Sequence, residues 1–432
     1  MAYSCISLST SSWSQSLKEV VKDALNNHPE AKAGLSVINA EREKVDIALS
    51  GYLPSLDVSA SIGGQKRLLP PGRRDASHDK SYTRKEGSVA LKQSIFAGFN
   101  TLQKVAQARH ISVAETYRLG ATLEELALKI TSAYLKVLEH SELLELAEDN
   151  LKLHDDIYQQ VRKRAEQGLA RSSDLAQIEG RRARANANVI NAKNNLADAQ
   201  SEYFALVGSM PVEPVMPDIE NMVLPETIES LLPETLREHP AILATHYEVM
   251  AEEADYKAQK SRFFPSLDVD VEQSWKTNAD GQLNTTQDLQ VMARLRYNLF
   301  RGGSDLSQIK ESAYRAEEKR SQKDRLTRTI EEKLRLAWDS YRFLGEQMQY
   351  LHQHEEASKK TVEAYREQFF IGKRTLLDLL DTENELFQSS KSLTQAIYQE
   401  TYSRYRVLSA SGNLLNAFGL NWGRQWSTDS EK

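Results

Sequence analysis

The chain has 432 residues, of which 40% are hydrophobic and 27% charged, and its formal net charge is -6. This length exceeds one compact core, and the scarcity of glycine and proline suits long amphipathic helices. The charge gives no general attraction to nucleic acid. The single cysteine, Cys5, excludes an intramolecular disulfide and a cysteine-ligated metal, and no apolar run approaches the ~20 residues of a membrane-spanning helix.

The N-terminal segment, residues 1–15, has neither a basic start nor a long apolar core. It therefore contains no complete secretory signal peptide. Two explanations remain open, a signal that has been removed and a truncated start.

The rest of the chain is an internal duplication. His28-Pro29 recurs as His239-Pro240, and Pro54–Val58 recurs letter for letter as Pro265–Val269. Both pairs are separated by the same number of residues, which chance rarely produces.

Two repeats follow from this duplication. We predict a first repeat over residues 16–210 and a second over residues 227–420. A proline-rich linker, residues 211–226, joins them, and residues 421–432 form a C-terminal tail.

In the first repeat the opening helix covers about residues 16–50 and stops before Pro54, because proline cannot continue a helix. The period of the pattern then changes to two. Apolar residues alternate with polar ones, which predicts strands of about residues 54–64 and 86–96.

The second repeat has an equivalent helix, about residues 227–262, and strands of about residues 265–275 and 287–299. Each strand has roughly the 10 residues that a tilted strand needs to cross a bilayer. Aromatic residues fall near the strand ends, as in the interfacial girdle of a membrane barrel: Tyr52, Trp275, Tyr297 and Phe300.

Long helices follow both pairs of strands. Between Thr101 and Arg164 there is no proline and a single glycine, so one helix of about 95 Å is expected at 1.5 Å per residue. Apolar residues along it follow a heptad pattern. The long helices are predicted over residues 101–165 and 304–370, and the return helices over 172–207 and 374–418.

Four strands in one chain cannot close a barrel, and open strand edges are not tolerated in lipid. Subunits must therefore share a barrel, and three chains would supply about twelve strands. The predicted fold class is mainly α with a membrane β part. The protomer is internally duplicated, with long coiled-coil helical hairpins that form an α-barrel and four strands that contribute to a 12-stranded β-barrel in a homotrimer.

Four segments add a more specific signal: Leu-Pro-Ser-Leu at 53–56, Phe-Pro-Ser-Leu at 264–267, Leu-Phe-Arg-Gly-Gly at 299–303 and Gly-Lys-Arg-Thr-Leu-Leu-Asp-Leu-Leu-Asp at 372–381. In this order they resemble the TolC family of outer-membrane efflux and secretion channels. The resemblance implies a homotrimer in the outer-membrane lipid of a Gram-negative bacterium, with a helical tunnel across the periplasm. It also implies two partners, a periplasmic adaptor (membrane fusion protein) and an inner-membrane transporter, either ABC or proton-driven.

Asp378 and Asp381 match the acidic ring that lines the periplasmic constriction in this family. They are three residues apart and share a helix face, so threefold symmetry would gather their carboxylates, attract cations and raise some of their pKa values. The alternative is an exposed acidic helix start, where aspartate is favoured.

Arg374, Ser173 and Asp174 match positions that link neighbouring helices and hold the closed end shut. The sequence departs from that pattern twice. Phe369 stands where a tyrosine is expected and has no hydroxyl to bond Asp174, and Ser173 replaces a threonine. The closed-state links are therefore expected to be looser or differently connected.

The turns Gly168-Leu169 and Gly372-Lys373 resemble the tips where the adaptor docks. Glycine suits such a turn because it tolerates a positive φ. An ordinary helix C-cap explains the same glycines, and the two interpretations are compatible.

The sequence contains no motif for catalysis or cofactor binding, so neither an enzyme nor a cofactor is expected. His352 and His354 lie two apart and diverge on a helix, so no metal site is predicted. The rival hypothesis is a soluble coiled-coil scaffold or adaptor protein, which explains the heptads but needs no single-faced strands. Within the duct hypothesis two cargos remain open, protein in type I secretion and small molecules in efflux.

Overall fold

The computed structural model describes residues 15–66, 81–168, 171–219, 222, 224–225, 227–279 and 284–420. The chain divides into two compact units that do not follow the two sequence repeats. The first comprises Met1–Leu35, Arg118–Ile242 and Leu326–Lys432, and the second comprises Ser36–Tyr117 and Leu243–Arg325. Each unit therefore takes parts of both repeats.

The second unit contains a four-stranded antiparallel sheet whose spatial order is the chain order: β1 (Ser55–Lys66), β2 (Ser81–Ala97), β3 (Ser266–Thr277) and β4 (Thr285–Arg296). β2 begins earlier than the predicted residue 86, because every residue of β1 pairs with it. β4 ends before the predicted residue 299. Its last residue pairs with the first residue of β3, and Pro265 has no N–H to extend the ladder.

One face of the sheet is apolar across all four strands. Val58 pairs with Val89 in β1 and β2, and Val271 pairs with Val291 in β3 and β4. The exposed fraction of Leu56, Val58, Leu289 and Val291 lies between 65% and 74%. The other face is polar, with an ion pair of 3.3 Å between Arg294 and Asp270. The alternation predicted from the sequence is present, and the described residues leave a large apolar surface of the sheet uncovered.

Gly98 turns β2 into the helix that follows. Its φ is +61°, and a Cβ atom there would lie 2.5 Å from the Ser261 carbonyl oxygen, so only glycine fits. The next residue, Phe99, packs edge to face against Phe96 at 5.2 Å and against Phe264 at 5.7 Å between ring centroids. These contacts join the strand-helix junctions of the two repeats.

The described part of the chain contains the helices α1 (Leu17–Asn27), α2 (Pro29–Leu49), α3 (Asn100–Glu166), α4 (Ser172–Val207), α5 (Ile228–Glu238), α6 (Pro240–Gln259), α7 (Ser304–Phe370), α8 (Leu376–Ala410) and α9 (Leu414–Ala417). α3 and α7 each run for 67 residues without interruption. None of the helices in these described ranges is both long and apolar enough to cross a membrane.

Two helices predicted as continuous are each split in two. The breaks are at His28 and His239, whose ψ angles are 132° and 124°. The next residue is a proline in both cases. Proline lacks an N–H donor and forces the preceding residue out of the helical region, so it can only begin a new helix.

α8 ends at Ala410, earlier than the predicted residue 418. Gly412 takes a φ of +76°, and the N–H of Asn413 donates to the Leu408 carbonyl at 2.9 Å. This is the hydrogen bond that closes a helix at a left-handed glycine. The chain then forms the short helix α9.

Tyr134 of α3 is fully buried and holds the linker between the repeats. Its hydroxyl accepts from the Val215 N–H at 2.8 Å and lies 2.7 Å from the Val215 carbonyl and 2.9 Å from the Gln15 carbonyl. One hydroxyl therefore joins the N-terminal segment, the long helix and the linker.

Tyr134→Phe is expected to release the linker, because it removes the hydroxyl and keeps the buried ring. Each lost hydrogen bond should cost about 1 kcal/mol. Limited proteolysis within residues 209–219 measures the release. Tyr350→Phe is the matched control, since that side chain is 68% exposed. Equal cleavage rates in the parent and Tyr134→Phe would contradict the role given to the hydroxyl.

Candidate functional site

The ends of the two helical hairpins, α3-α4 and α7-α8, meet in one hydrophobic cluster in the first unit. All four helices contribute to it, and its buried members are Ile157, Val161, Ile178, Leu376, Leu379 and Leu380. Tyr365 and Phe369 pack against this cluster from α7. We call it the tip cluster, and it positions every candidate residue that follows.

The turn after α7 is a left-handed glycine cap. Gly372 has a φ of +76°. Its N–H donates to the Phe369 carbonyl at 3.0 Å, and the Lys373 N–H donates to the Gln368 carbonyl at 2.8 Å. This paired arrangement satisfies the last carbonyls of α7.

The turn after α3 has the same conformation at its glycine. Gly168 has a φ of +72°, and its N–H donates to the Ala165 carbonyl at 3.0 Å. Leu169, predicted together with Gly168, lies outside the described residues. The C-cap interpretation of both glycines is therefore present in the geometry, and the docking interpretation stays a prediction.

Asp378 caps the start of α8. Its carboxylate accepts from the Thr375 N–H at 3.2 Å, and the Thr375 hydroxyl accepts from the Asp378 N–H at 3.2 Å. These bonds with Thr375, helped by nearby Arg374, lower the pKa of Asp378. Within one protomer the shift is opposite to the rise expected for an assembled acidic ring. The helix-start alternative thus describes Asp378 in the single chain.

Asp381 is paired across the two repeats. An Nη2–Oδ1 distance of 2.6 Å joins Arg181 of α4 to Asp381 of α8. The two residues are 200 positions apart. No local pattern in the sequence pairs them, and only the packing of the return helices brings them together.

The predicted closed-state residues are not in contact with one another within a protomer. The Arg374 Nε donates to the Gln368 side chain at 3.1 Å, and its guanidinium carbon lies 4.2 Å from the Tyr365 ring centroid. In the described part of the chain, the side chains of Ser173 and Asp174 have no hydrogen-bond partner. The structure therefore holds Arg374 on its own hairpin and leaves two acceptors free on α4.

Phe369, at the position where a tyrosine is expected, packs into the tip cluster. The Arg164 guanidinium carbon lies 5.4 Å from its ring centroid. A cation–π contact with Arg164 thus occurs at the position where the family pattern has a tyrosine.

A further ion pair at the tip was missed by sequence reasoning. Arg366 of α7 and Glu383 of α8 are 2.6 Å apart between Nη2 and Oε1, and the Glu383 side chain is only 2% exposed. Glu383 lies on the same α8 face as the buried Leu379 and Leu380. A glutamate on an otherwise apolar helix face could have indicated an ion pair from the sequence, since a buried carboxylate needs a counter-charge.

In the described part of the chain, an apolar-faced sheet whose two outer strands each have one neighbour, together with two long helical hairpins, is the architecture of an outer-membrane channel protein. The sequence profile of the family described as outer membrane efflux protein matches residues 20–209 and 231–413. The chain belongs to this family. The predicted family, fold class and outer-membrane location are confirmed, and the soluble scaffold hypothesis is wrong.

Characterised relatives cover most of the chain. It is 25% identical over 398 residues to the outer membrane efflux protein BepC of Brucella suis, covering 91% of this chain and 84% of that protein. It is 23% identical to the outer membrane protein TolC of Escherichia coli, covering 94% and 84%. It is also 23% identical to the alkaline protease secretion protein AprF of Pseudomonas aeruginosa, covering 87% and 80%.

A solved structure shows the same fold. The CmeC outer membrane channel of Campylobacter jejuni superposes with a TM-score of 0.83 at 16% identity. The superposition covers 92% of this chain and 86% of that one. The chain is therefore an exit duct component of the outer membrane that extends into the periplasm.

Proposed function

We propose that three copies of this chain form one duct that carries cargo from an inner-membrane transporter, through a periplasmic adaptor, to the outside. The observation that supports it best is the sheet. In the part of the chain that the structure describes, β1 and β4 each have one strand neighbour and so leave an open edge. Open edges beside an exposed apolar face require partner strands. Three copies that pair β4 with β1 would close about twelve strands around lipid-facing side chains.

The tip supplies the periplasmic end of this duct. The two glycine turns, Gly168-Leu169 and Gly372-Lys373, are the docking surface for the adaptor in this proposal, and Gly168, Gly372 and Lys373 are exposed. Ser173 and Asp174 are free to accept from Arg374 of a neighbouring copy, which would first have to leave the Tyr365 ring. Such an exchange of partners would hold the end shut until the adaptor binds.

Asp378 and Asp381 form the constriction in this proposal. Threefold symmetry would gather six carboxylates, which attract multivalent cations strongly. The Arg181 guanidinium beside each Asp381 would moderate that field. Relatives named for efflux and for protease secretion support both small molecules and protein as cargo.

The acidic constriction predicts block of the channel by a trivalent cation. Detergent-purified protein in planar bilayers should conduct steadily, and the cation added from the tip side should reduce the current. Asp378→Asn with Asp381→Asn should remove most of the block, because the amides keep the side-chain shape and carry no charge. Native mass spectrometry of the same preparation reports the trimer.

The control is Glu346→Gln with Glu356→Gln, which removes two exposed carboxylates of α7 outside the tip and should leave the block unchanged. If the parent conducts and the cation blocks it no more strongly than the double asparagine variant, the assignment of Asp378 and Asp381 to the constriction is wrong. A preparation that never conducts and stays soluble without detergent would disprove the duct.

A further inference from the structure

A cavity of about 270 Å³ lies between α3, α4 and α8 in the first unit. Its walls carry two cations, Arg184 and Lys391, and a row of amides that includes Asn188, Asn191 and Gln388. No aspartate or glutamate is among its lining residues. Such a wall offers hydrogen-bond donors and positive charge to whatever enters.

The two cations are unusual for their surroundings. Other basic residues of α4 are neutralised, because Arg181 pairs with Asp381, Arg182 with Asp155 and Lys193 with Glu148. Within the described ranges, Arg184 and Lys391 have neither an ion pair nor a hydrogen bond. The residues that line the cavity therefore carry a net positive charge.

His140, also in the wall, adds no charge at neutral pH. Burial lowers the pKa of its imidazole, and nearby Lys136 lowers it further. Asp198 acts in the opposite direction with a smaller effect. A neutral imidazole can donate or accept one more hydrogen bond.

The amides of the cavity wall lie in register with the Arg181–Asp381 pair along α4 and α8. On α8, Gln388 and Gln395 follow Asp381 at steps of seven residues. On α4, Asn188 and Asn195 follow Arg181 in the same way. Seven residues are close to two helical turns, so each set forms one stripe along its helix. The Arg181–Asp381 ion pair is thus followed, along the same two stripes, by amide side chains of the cavity wall.

We propose that this cavity binds a small organic anion of the polycarboxylate type. The Arg184 guanidinium matches a carboxylate with two parallel N–H donors, and Lys391 supplies a second, point-like charge. The asparagine and glutamine amides bind the remaining oxygen atoms. The cavity volume of about 270 Å³ accepts an anion of the size of citrate. The anion site itself does not rest on the proposed duct function. The proposed function matters only for whether the bound anion faces the path of the cargo.

Isothermal titration of the detergent-purified protein with citrate tests the site, with inorganic phosphate as a second probe. The parent should bind citrate saturably and more tightly than phosphate. Phosphate is smaller, so it cannot reach the amides of the wall while it contacts both cations. Arg184→Gln with Lys391→Gln should weaken citrate binding by at least about tenfold, because two charge-assisted contacts are lost.

The control is Arg315→Gln with Lys360→Gln. It makes the same change in net charge at two exposed ion pairs of α7 that lie outside the cavity. Parental affinity in this control supports the site. Parental affinity in the cavity variant, equal loss in both variants, or absence of citrate binding by the parent would each overturn it.

Channel recordings on the same preparations separate the two proposals. A parent that conducts but does not bind citrate overturns the anion site and leaves the duct standing. A parent that binds citrate but does not conduct supports the anion site and overturns the duct.

Discussion

Arg366→Ala is expected to destabilise the tip of the α7-α8 hairpin by about 3 kcal/mol, because it leaves a buried carboxylate without a counter-charge. Arg366 is the ion-pair partner of Glu383, at 2.6 Å. The Glu383 side chain is 2% exposed, whereas that of Arg366 is 44% exposed. The partly exposed arginine places the expected effect at the lower end of the range for buried pairs.

Hydrogen exchange of the tip segment, residues 362–386, measures the effect. Arg366→Met combined with Glu383→Leu should restore much of the protection, because an apolar pair of similar volume needs no counter-charge. This rescue separates an electrostatic cause from a general packing defect.

Arg162→Ala is the matched control. It removes a pair with Glu166 whose side chains are 54% and 63% exposed, so its effect should be much smaller than that of Arg366→Ala. Equal protection from exchange in Arg366→Ala and Arg162→Ala would show that the buried pair stabilises the tip no more than an exposed pair does.

The sequence predicts the sheet and the long helices of this fold well, because both depend on local periodicity. Alternation around Val58 and Val291 determines which strand face is apolar, and the absence of proline in α3 and α7 determines their length. The prolines after His28 and His239 and the glycine at 412 were also visible, but the helices were predicted as continuous through them. Backbone sterics alone predict that the helices break at these residues, and the helix boundaries should have been placed there.

The candidate site could be predicted only in part. Glycine at both tips follows from the positive φ of a tight turn. The partners of Asp381, Arg374 and Glu383 could not be derived, because heptad patterns do not specify which helices become neighbours. Within the described chain, the contacts of these residues cross between helices, and they depend on how the return helix of one repeat packs on the other.

Glu124 of α3 is buried against the start of α9, and no sequence pattern predicted this contact. The residue is 4% exposed, and its two carboxylate oxygens accept from the N–H groups of Leu414 and Leu415 at 3.0 and 3.2 Å. Burial raises the pKa of Glu124 to about 8 and outweighs these two hydrogen bonds, which favour the charged form. The folded protein therefore holds a proton there at neutral pH.

The direction of the pH effect follows from this raised pKa. Between the usual value of 4.5 and about 8, the folded chain binds the proton and the unfolded chain does not. Stability from this group is therefore complete below 4.5 and is lost as the pH rises towards 8. One pKa unit corresponds to about 1.4 kcal/mol, so the loss between about pH 6.5 and about pH 8 is roughly 2 kcal/mol.

His239 lines the same cavity as Glu124, together with Glu125, Lys333 and Arg406. Burial, aided by Lys333, lowers the pKa of His239 from 6.5 to about 4. Its contribution to stability is complete above 6.5 and is lost as the pH falls towards 4, which opposes the trend of Glu124 in that lower range. The window above about pH 6.5 therefore isolates Glu124 from His239.

Thermal unfolding of the detergent-purified protein, at constant ionic strength, should reveal this proton. The parent should lose stability as the pH rises from about 6.5 to about 8, and Glu124→Gln should be flatter over that window because its amide does not titrate. Glu125→Gln should follow the parent, since that exposed carboxylate is paired with Lys129 at 2.9 Å. Equal slopes in the parent and Glu124→Gln would mean that the buried carboxyl keeps an ordinary pKa. The two backbone N–H groups of α9 would then outweigh burial, and Glu124 would act as a permanent anion that caps α9.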